Sequence, residues 1–93
     1  GGGFIENIPR MLPCGLGAQI NTKSYEVPKV FCALQKKANL SDIKAYNTFN
    51  MGIGMVIAID KEYEREALRI LSDKGEKAFI IGSVVEGEGI KLC

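Results

Sequence analysis

The sequence has no histidine and no tryptophan among its 93 residues. Without histidine, the chain cannot by itself form a Ser-His or Cys-His catalytic pair or supply an imidazole ligand to a metal. Its three cysteines, Cys14, Cys32 and Cys93, are odd in number and widely spaced. That pattern predicts neither a disulfide framework nor a zinc site, so we expect reduced thiols in a cytoplasmic protein.

Net charge is almost absent as well, +1 at pH 7 from 12 basic and 11 acidic side chains. This balance gives no reason to expect nucleic acid or an anionic membrane as a partner. The longest apolar run, residues 51–59, is broken by two glycines and is far shorter than the ~20 residues of a membrane span. The length and the 46% hydrophobic content predict that residues 1–93 form a single globular domain.

Apolar spacing and helix terminators predict three short helices in the first half of the chain. Apolar residues recur at helical intervals over residues 4–12, which also places Pro9 near the first turn of that helix. Pro28 suits the start of a second helix, and Asn39 suits its left-handed end. Ser41 is expected to cap a third, shorter helix.

Apolar runs predict the strands of a mixed sheet, weakly over residues 14–20 and strongly over 51–59 and 78–85. The run at 51–59 has no polar residue, which is typical of a strand covered on both faces. A helix over residues 61–74 would connect it to 78–85, and a turn would then form an antiparallel hairpin with residues 90–92. The predicted fold class is α/β (α+β), with a single mixed β-sheet and helices packed on it.

The same pattern predicts which side chains form the hydrophobic core. They are Phe31, Leu34, Val56, Ile57, Ile59, Ala67, Ile70, Leu71, Phe79, Ile81 and Val84. In such a core, Leu71→Ala would cost about 2–5 kcal/mol.

Three stretches of the sequence together resemble one enzyme family. They are GGGFIENIPRMLP at residues 1–13, TFNMGIGM at 48–55 and AFIIGSV at 78–84. Their order and spacing resemble the C-terminal part of the phosphoribosylformylglycinamidine cyclo-ligases, also called aminoimidazole ribonucleotide synthetases. The resemblance covers essentially the whole chain, although Met51 stands where the family commonly has cysteine.

This resemblance implies a role in purine biosynthesis. The family uses ATP to cyclise formylglycinamidine ribonucleotide to aminoimidazole ribonucleotide. The chain would be the C-terminal, substrate-binding fragment of a larger two-domain enzyme, inactive alone. Its implied partners are the ribonucleotide, the N-terminal domain of the same enzyme and a second subunit of a homodimer. ATP and Mg²⁺ would bind mainly outside these 93 residues, and no cofactor is expected within them.

The glycine run before the first helix is the strongest candidate site, because glycines and a helix N-terminus can hold an anion such as phosphate. The alternative is that the glycines only allow a tight turn. Together with the resemblance, the pattern predicts these substrate-binding residues: Gly1, Gly2, Gly3, Phe4, Glu6, Asn7, Arg10, Asn50 and Gly52. The strand glycines could instead reflect close packing, and the polar helix residues could be solvated surface. No catalytic residue and no metal ligand is predicted.

Two other classes of function remain open from the sequence. The chain could be a stand-alone α/β module that binds phosphate or a protein partner. It could also be a structural fragment that self-associates through an exposed sheet edge.

Overall fold

A computed structural model describes residues 2–93, and this part of the chain contains four α-helices and three strands. The helices are α1 (Gly3–Arg10), α2 (Lys29–Lys37), α3 (Asp42–Thr48) and α4 (Glu64–Asp73), the last preceded by a 3₁₀ turn at Lys61–Tyr63. The strands are β1 (Leu16–Ile20), β2 (Gly82–Glu86) and β3 (Gly89–Leu92). The predicted α+β class with a single mixed sheet is confirmed. That all 93 residues form one domain stays a prediction.

The helix ends follow the local chemistry of the sequence. Ser41 caps α3, its hydroxyl accepting a hydrogen bond from the Lys44 N–H at 3.3 Å. Asn39 follows α2 with φ 55°, and Gly75 follows α4 with φ 83°, the left-handed geometry that ends many helices. The ends at Ser41 and Asn39 were predicted correctly. Pro9 lies in the last turn of α1 and not in its first.

Strand β1 is the centre of the sheet, although it is the weakest strand by sequence. It pairs antiparallel with β2 on one side and parallel with β3 on the other. Ala18 therefore lies opposite Val84 in one neighbour and Ile90 in the other. Because both edges of β1 are paired, its glycine-interrupted sequence is stabilised by two hydrogen-bonded ladders.

The predicted hairpin between β2 and β3 is wrong. The two strands run in opposite directions but lie on either side of β1, so they are not hydrogen-bonded neighbours. The turn between them passes around the start of β1, where the Gly87 N–H donates to the Gly15 carbonyl at 2.9 Å. A Cβ on Gly17 would overlap the carbonyl oxygens of Gly87 and Gly89. A glycine at position 17 is thus required for the turn between β2 and β3 to pass this close to β1.

The predicted strand at 51–59 is also wrong. Within the described chain, residues 53–60 belong to no helix or strand, and the sheet consists of β1, β2 and β3 alone. The side chains of Met55 and Ile57 are 80% and 58% exposed. A strand needs a hydrogen-bonding neighbour, and residues 53–60 pair neither with β1 nor with the outer edges of β2 and β3. The strand predicted over 78–85 is shorter, because residues 78–81 precede β2 without regular structure.

The hydrophobic core lies where the first helix, the third helix and the central strand meet. The buried apolar side chains are Phe4, Ile8, Ala18, Ile20, Tyr25, Ala45, Tyr46 and Met51. The Phe4 and Tyr46 rings pack edge to face, with centroids 5.2 Å apart.

None of the predicted core residues belongs to this buried set. Six of them are 44–58% exposed, namely Leu34, Ile57, Ile59, Ile70, Phe79 and Val84, and Leu71 is only half-buried. Helical or strand periodicity shows which face is apolar, but burial also needs a second element to cover that face. Helices α2 and α4 carry clear apolar stripes and have no fully buried residue.

Candidate functional site

Helix α1 begins at a tight contact with the end of α3. Gly2 and Gly3 both have positive φ, 94° and 53°, which glycine adopts at little cost. A Cβ on Gly3 would overlap the Tyr46 carbonyl oxygen and lie 2.6 Å from that of Phe49. Gly3 therefore lets the two helices approach closely, and this steric role explains the glycine without any ligand.

A strained turn faces this helix from the other side. The Ile53 N–H donates to the Asn50 carbonyl at 3.1 Å, and the Gly52 N–H donates to the Asn50 side-chain Oδ1 at 2.8 Å. Both central residues, Met51 and Gly52, have positive φ, 54° and 93°. Such a turn normally takes Asn or Gly at its first central position, so Met51 stands in a conformation that costs about 1–2 kcal/mol.

The helix and the turn enclose a cleft of about 360 Å³. The residues from α1 that line it are Gly3, Phe4, Asn7, Ile8 and Met11. The facing wall is formed by Asn50, Ile53, Gly54, Met55 and Val56. Among these lining residues no side chain carries a charge, and the two asparagine amides are the groups best able to hydrogen-bond a ligand.

Four of the predicted site residues are brought together in this cleft: Gly3, Phe4, Asn7 and Asn50. The Asn7 Oδ1 also accepts a hydrogen bond from Arg10 Nη1 at 3.4 Å. The prediction missed the apolar lining. The helical interval from Phe4 to Met11 could have located one wall, because positions i, i+3, i+4 and i+7 share one face.

The other predicted residues lie outside the lining. Glu6 and Arg10 form an exposed ion pair on α1, with Nη2 and Oε2 3.9 Å apart. Gly52 packs against the ring of Pro28, where a Cβ would lie 2.5 Å from Cδ. Gly2 is the residue before α1, and the predicted role of Gly1 falls outside the described residues.

Two tyrosines support the cleft from behind. The Tyr25 hydroxyl donates a buried hydrogen bond to the Met51 carbonyl at 3.0 Å. Burial, and then the neighbouring Tyr46, raise the pKa of Tyr25 well above its ordinary value. Burial also raises the pKa of Tyr46, although the neighbouring Tyr25 hydroxyl acts in the opposite direction. Both hydroxyls therefore stay protonated and able to donate at neutral pH.

Residues 2–93 contain neither a cluster of metal ligands nor a helix that could span a membrane. No group of three or more Cys, Asp or Glu side chains is placed to hold a metal ion. None of the described helices is long and apolar enough to cross a membrane.

Sequence comparisons connect this chain with cyclo-ligases. It is 54% identical over 93 residues to the phosphoribosylformylglycinamidine cyclo-ligase of Geobacillus sp. (strain WCH70), covering 100% of this chain and 27% of the relative. The enzyme of the same name from Caldanaerobacter subterraneus is 53% identical over 89 residues, 96% of this chain and 26% of the relative. The phosphoribosylformylglycinamidine cyclo-ligase of Bacillus mycoides (strain KBAB4) is 51% identical over 90 residues, which are 97% of this chain and 26% of the relative.

The chain thus spans about a quarter of the length of these relatives, 26–27%. A protein-family model, described as "AIR synthase related protein, C-terminal domain", matches residues 1–92. Because this match includes nearly every residue, the chain belongs to the family of AIR synthase related proteins and corresponds to its C-terminal domain.

Proposed function

We propose that this chain is the substrate-binding C-terminal portion of a phosphoribosylformylglycinamidine cyclo-ligase of purine biosynthesis. The observation that carries the proposal is where the sequence motifs lie. Two of the three stretches that resemble the cyclo-ligases, residues 1–13 and 48–55, supply facing walls of one cleft. Three relatives with that name match the chain at 51–54% identity.

The cleft suits the formamide and amidine end of formylglycinamidine ribonucleotide better than its phosphate. Its lining contains amides and apolar groups but no cation. At the glycine turn, a Cβ on Gly2 would lie 2.6 Å from the Glu6 Cβ and against its carboxylate. An exposed carboxylate there repels an anion. We therefore assign the formamide and amidine groups to the cleft. We do not assign the phosphate to the glycines that precede α1.

Asn7 and Asn50 are the proposed ligands of those groups. An asparagine amide both donates and accepts hydrogen bonds, so it can pair with a formamide oxygen or an amidine nitrogen. Ring closure requires the amidine nitrogen to approach the formamide carbon. Holding both groups in the right geometry lowers the entropy cost of that step. The apolar side chains of Phe4, Ile53 and Val56 would keep water from the reacting groups.

The lining of this cleft does not suit Mg²⁺, which would accompany ATP. Mg²⁺ is bound in proteins through carboxylate oxygens and phosphates, and the lining residues include no carboxylate. We propose that both bind in the region that the relatives have in addition to the matched segment. Association with an N-terminal domain, a homodimeric state and a cytoplasmic location belong to the same proposal.

A grafting experiment tests this function. The matching segment of the Geobacillus cyclo-ligase is replaced by this chain, and ATP-dependent formation of aminoimidazole ribonucleotide is measured. We expect activity within about tenfold of the unmodified relative, a difference of about 1.4 kcal/mol. The isolated 93-residue chain should show no turnover. A folded but inactive graft would contradict the proposal and favour the stand-alone module.

Asn50→Ala in the active graft tests the cleft itself. The KM for the ribonucleotide should rise about tenfold, which corresponds to about 1.4 kcal/mol of lost binding, while the KM for ATP stays unchanged. Asn21→Ala is the matched control, because Asn21 is exposed and lies outside the cleft lining. An unchanged ribonucleotide KM in Asn50→Ala would remove the assigned role of this residue.

A further inference from the structure

The buried tyrosines Tyr25 and Tyr46 contact the two walls of the cleft, one wall each. Tyr25 lies in the loop before α2, and its hydroxyl donates to the Met51 carbonyl at 3.0 Å across 26 positions of sequence. Tyr46 lies on α3 and belongs to the same buried core as Met51 and Phe4. Tyr25 and Tyr46 are 9% and 3% exposed, so water does not compete strongly for the bond between Tyr25 and Met51.

The wall formed by the Asn50 turn depends on Tyr25, whose hydroxyl holds the Met51 carbonyl. A residue other than glycine persists in the left-handed region only when surrounding contacts hold it there. Met51 has φ 54°, its side chain is 2% exposed, and its carbonyl is held by Tyr25. The same turn fixes the neighbouring Asn50, whose Oδ1 accepts from the Gly52 N–H at 2.8 Å.

The wall formed by helix α1 depends on Tyr46, whose ring packs against Phe4. The Tyr46 ring meets the Phe4 ring edge to face, at 5.2 Å and an interplanar angle of 89°. Phe4 is 3% exposed and lies in α1, one helical turn before Asn7 and Ile8. Tyr25 therefore holds the Asn50 turn, Tyr46 packs against helix α1, and Tyr46, Met51 and Phe4 share one buried core.

We propose that the Tyr25–Tyr46 pair positions Asn50 relative to α1, and so sets the geometry in which the cleft binds its substrate. The tyrosines do not line the cleft, so they act through Met51 and Phe4 as positioning residues. The inference concerns the structure of the cleft, and its consequence for catalysis rests on the proposed function.

The structural part is tested on the 93-residue chain itself. Amide hydrogen exchange is measured by NMR at Gly52 and Ile53 in Tyr25→Phe. We expect exchange to become about threefold to tenfold faster there, the size of effect for one lost hydrogen bond, while amides within β1 change little. Tyr63→Phe is the control, because Tyr63 is 52% exposed. Unchanged exchange at both amides would overturn the inference, whatever the graft does.

The catalytic part is tested by Tyr25→Phe in the grafted cyclo-ligase, well below its melting temperature. The ribonucleotide KM should rise about threefold to tenfold, with the ATP KM unchanged. A general loss of folded protein would lower the apparent kcat without changing either KM. An active graft in which Tyr25→Phe leaves the ribonucleotide KM normal would contradict the positioning role and leave the proposed function intact.

Discussion

The two halves of this chain are similarly apolar but differ in burial. Every buried hydrophobic residue in the described chain lies between Phe4 and Met51. From residue 52 onward no side chain is fully buried, although residues 53–59 are continuously apolar. This difference shows that an apolar segment becomes buried only where other helices or strands pack against it. The first half has α1, α3 and β1 packed together, whereas no described element covers residues 55 and 57.

Equivalent substitutions in the two halves should give very different losses of stability. Phe4→Ala should lower the free energy of unfolding by about 3–5 kcal/mol, because it empties a buried site beside Tyr46. Phe79→Ala is the matched control, since Phe79 is 46% exposed, and should cost no more than about 1 kcal/mol. Urea denaturation of the 93-residue chain measures both. Equal losses would contradict the location of the core.

A second comparison concerns glycines. Gly17→Ala should cost about 1–3 kcal/mol, because the new methyl group would meet the Gly87 and Gly89 carbonyls. Gly54→Ala should cost nothing measurable, because no atom lies within 4 Å of the position a Cβ would take. Thermal melts of the two variants check this. If Gly17→Ala keeps the parent melting temperature, the path of the β2–β3 turn around β1 is wrong.

The buried tyrosines predict how stability depends on pH. Their pKa values are raised in the folded chain, so the unfolded chain loses these protons first. The stability due to burying the neutral phenols is therefore complete below about pH 10 and decreases as the pH rises above it. The free energy of unfolding should fall less steeply between about pH 9 and pH 11 in Tyr25→Phe/Tyr46→Phe. The same slope in both proteins would contradict the burial of the hydroxyls.

The smallest effect is expected in the exposed half. Ile57→Ser should change the free energy of unfolding of the chain by less than about 0.5 kcal/mol, since Ile57 is 58% exposed. Ile8→Ser, at a position 5% exposed, serves as the contrast and should be strongly destabilising. Urea midpoints distinguish the two variants. A large loss in Ile57→Ser would mean that the side chain of Ile57 is packed after all.

Local signals in the sequence were sufficient for three of the helix ends, although not for those of α1. Ser41, Asn39 and Gly75 act through their own side chain or backbone freedom, and all three lie where local chemistry places them. The strand at 51–59 and the β2–β3 hairpin could not be predicted in this way, because pairing depends on partners distant in sequence. Gly17 interrupts the apolar run of β1, but its missing side chain leaves room for the turn beside it.

The candidate site was predictable in part for the same reason. The motifs brought attention to Gly3, Phe4, Asn7 and Asn50, which the fold places around one cleft. Their chemical role required the surroundings, because the absence of charge in the cleft emerges only when both walls are assembled. The tyrosine pair lies outside the quoted motifs, and the contact of Tyr25 with Met51 spans 26 positions.

Amide hydrogen exchange across the whole 93-residue chain tests the difference between the halves most directly. Exchange should be slowest at the hydrogen-bonded amides of α1, β1 and α3, which surround the core that supports the cleft. Amides in residues 54–60 should exchange at close to the rate of an unstructured peptide. Strong protection over 54–60, equal to that of β1, would contradict this account of where the chain is stable and of how the cleft is built.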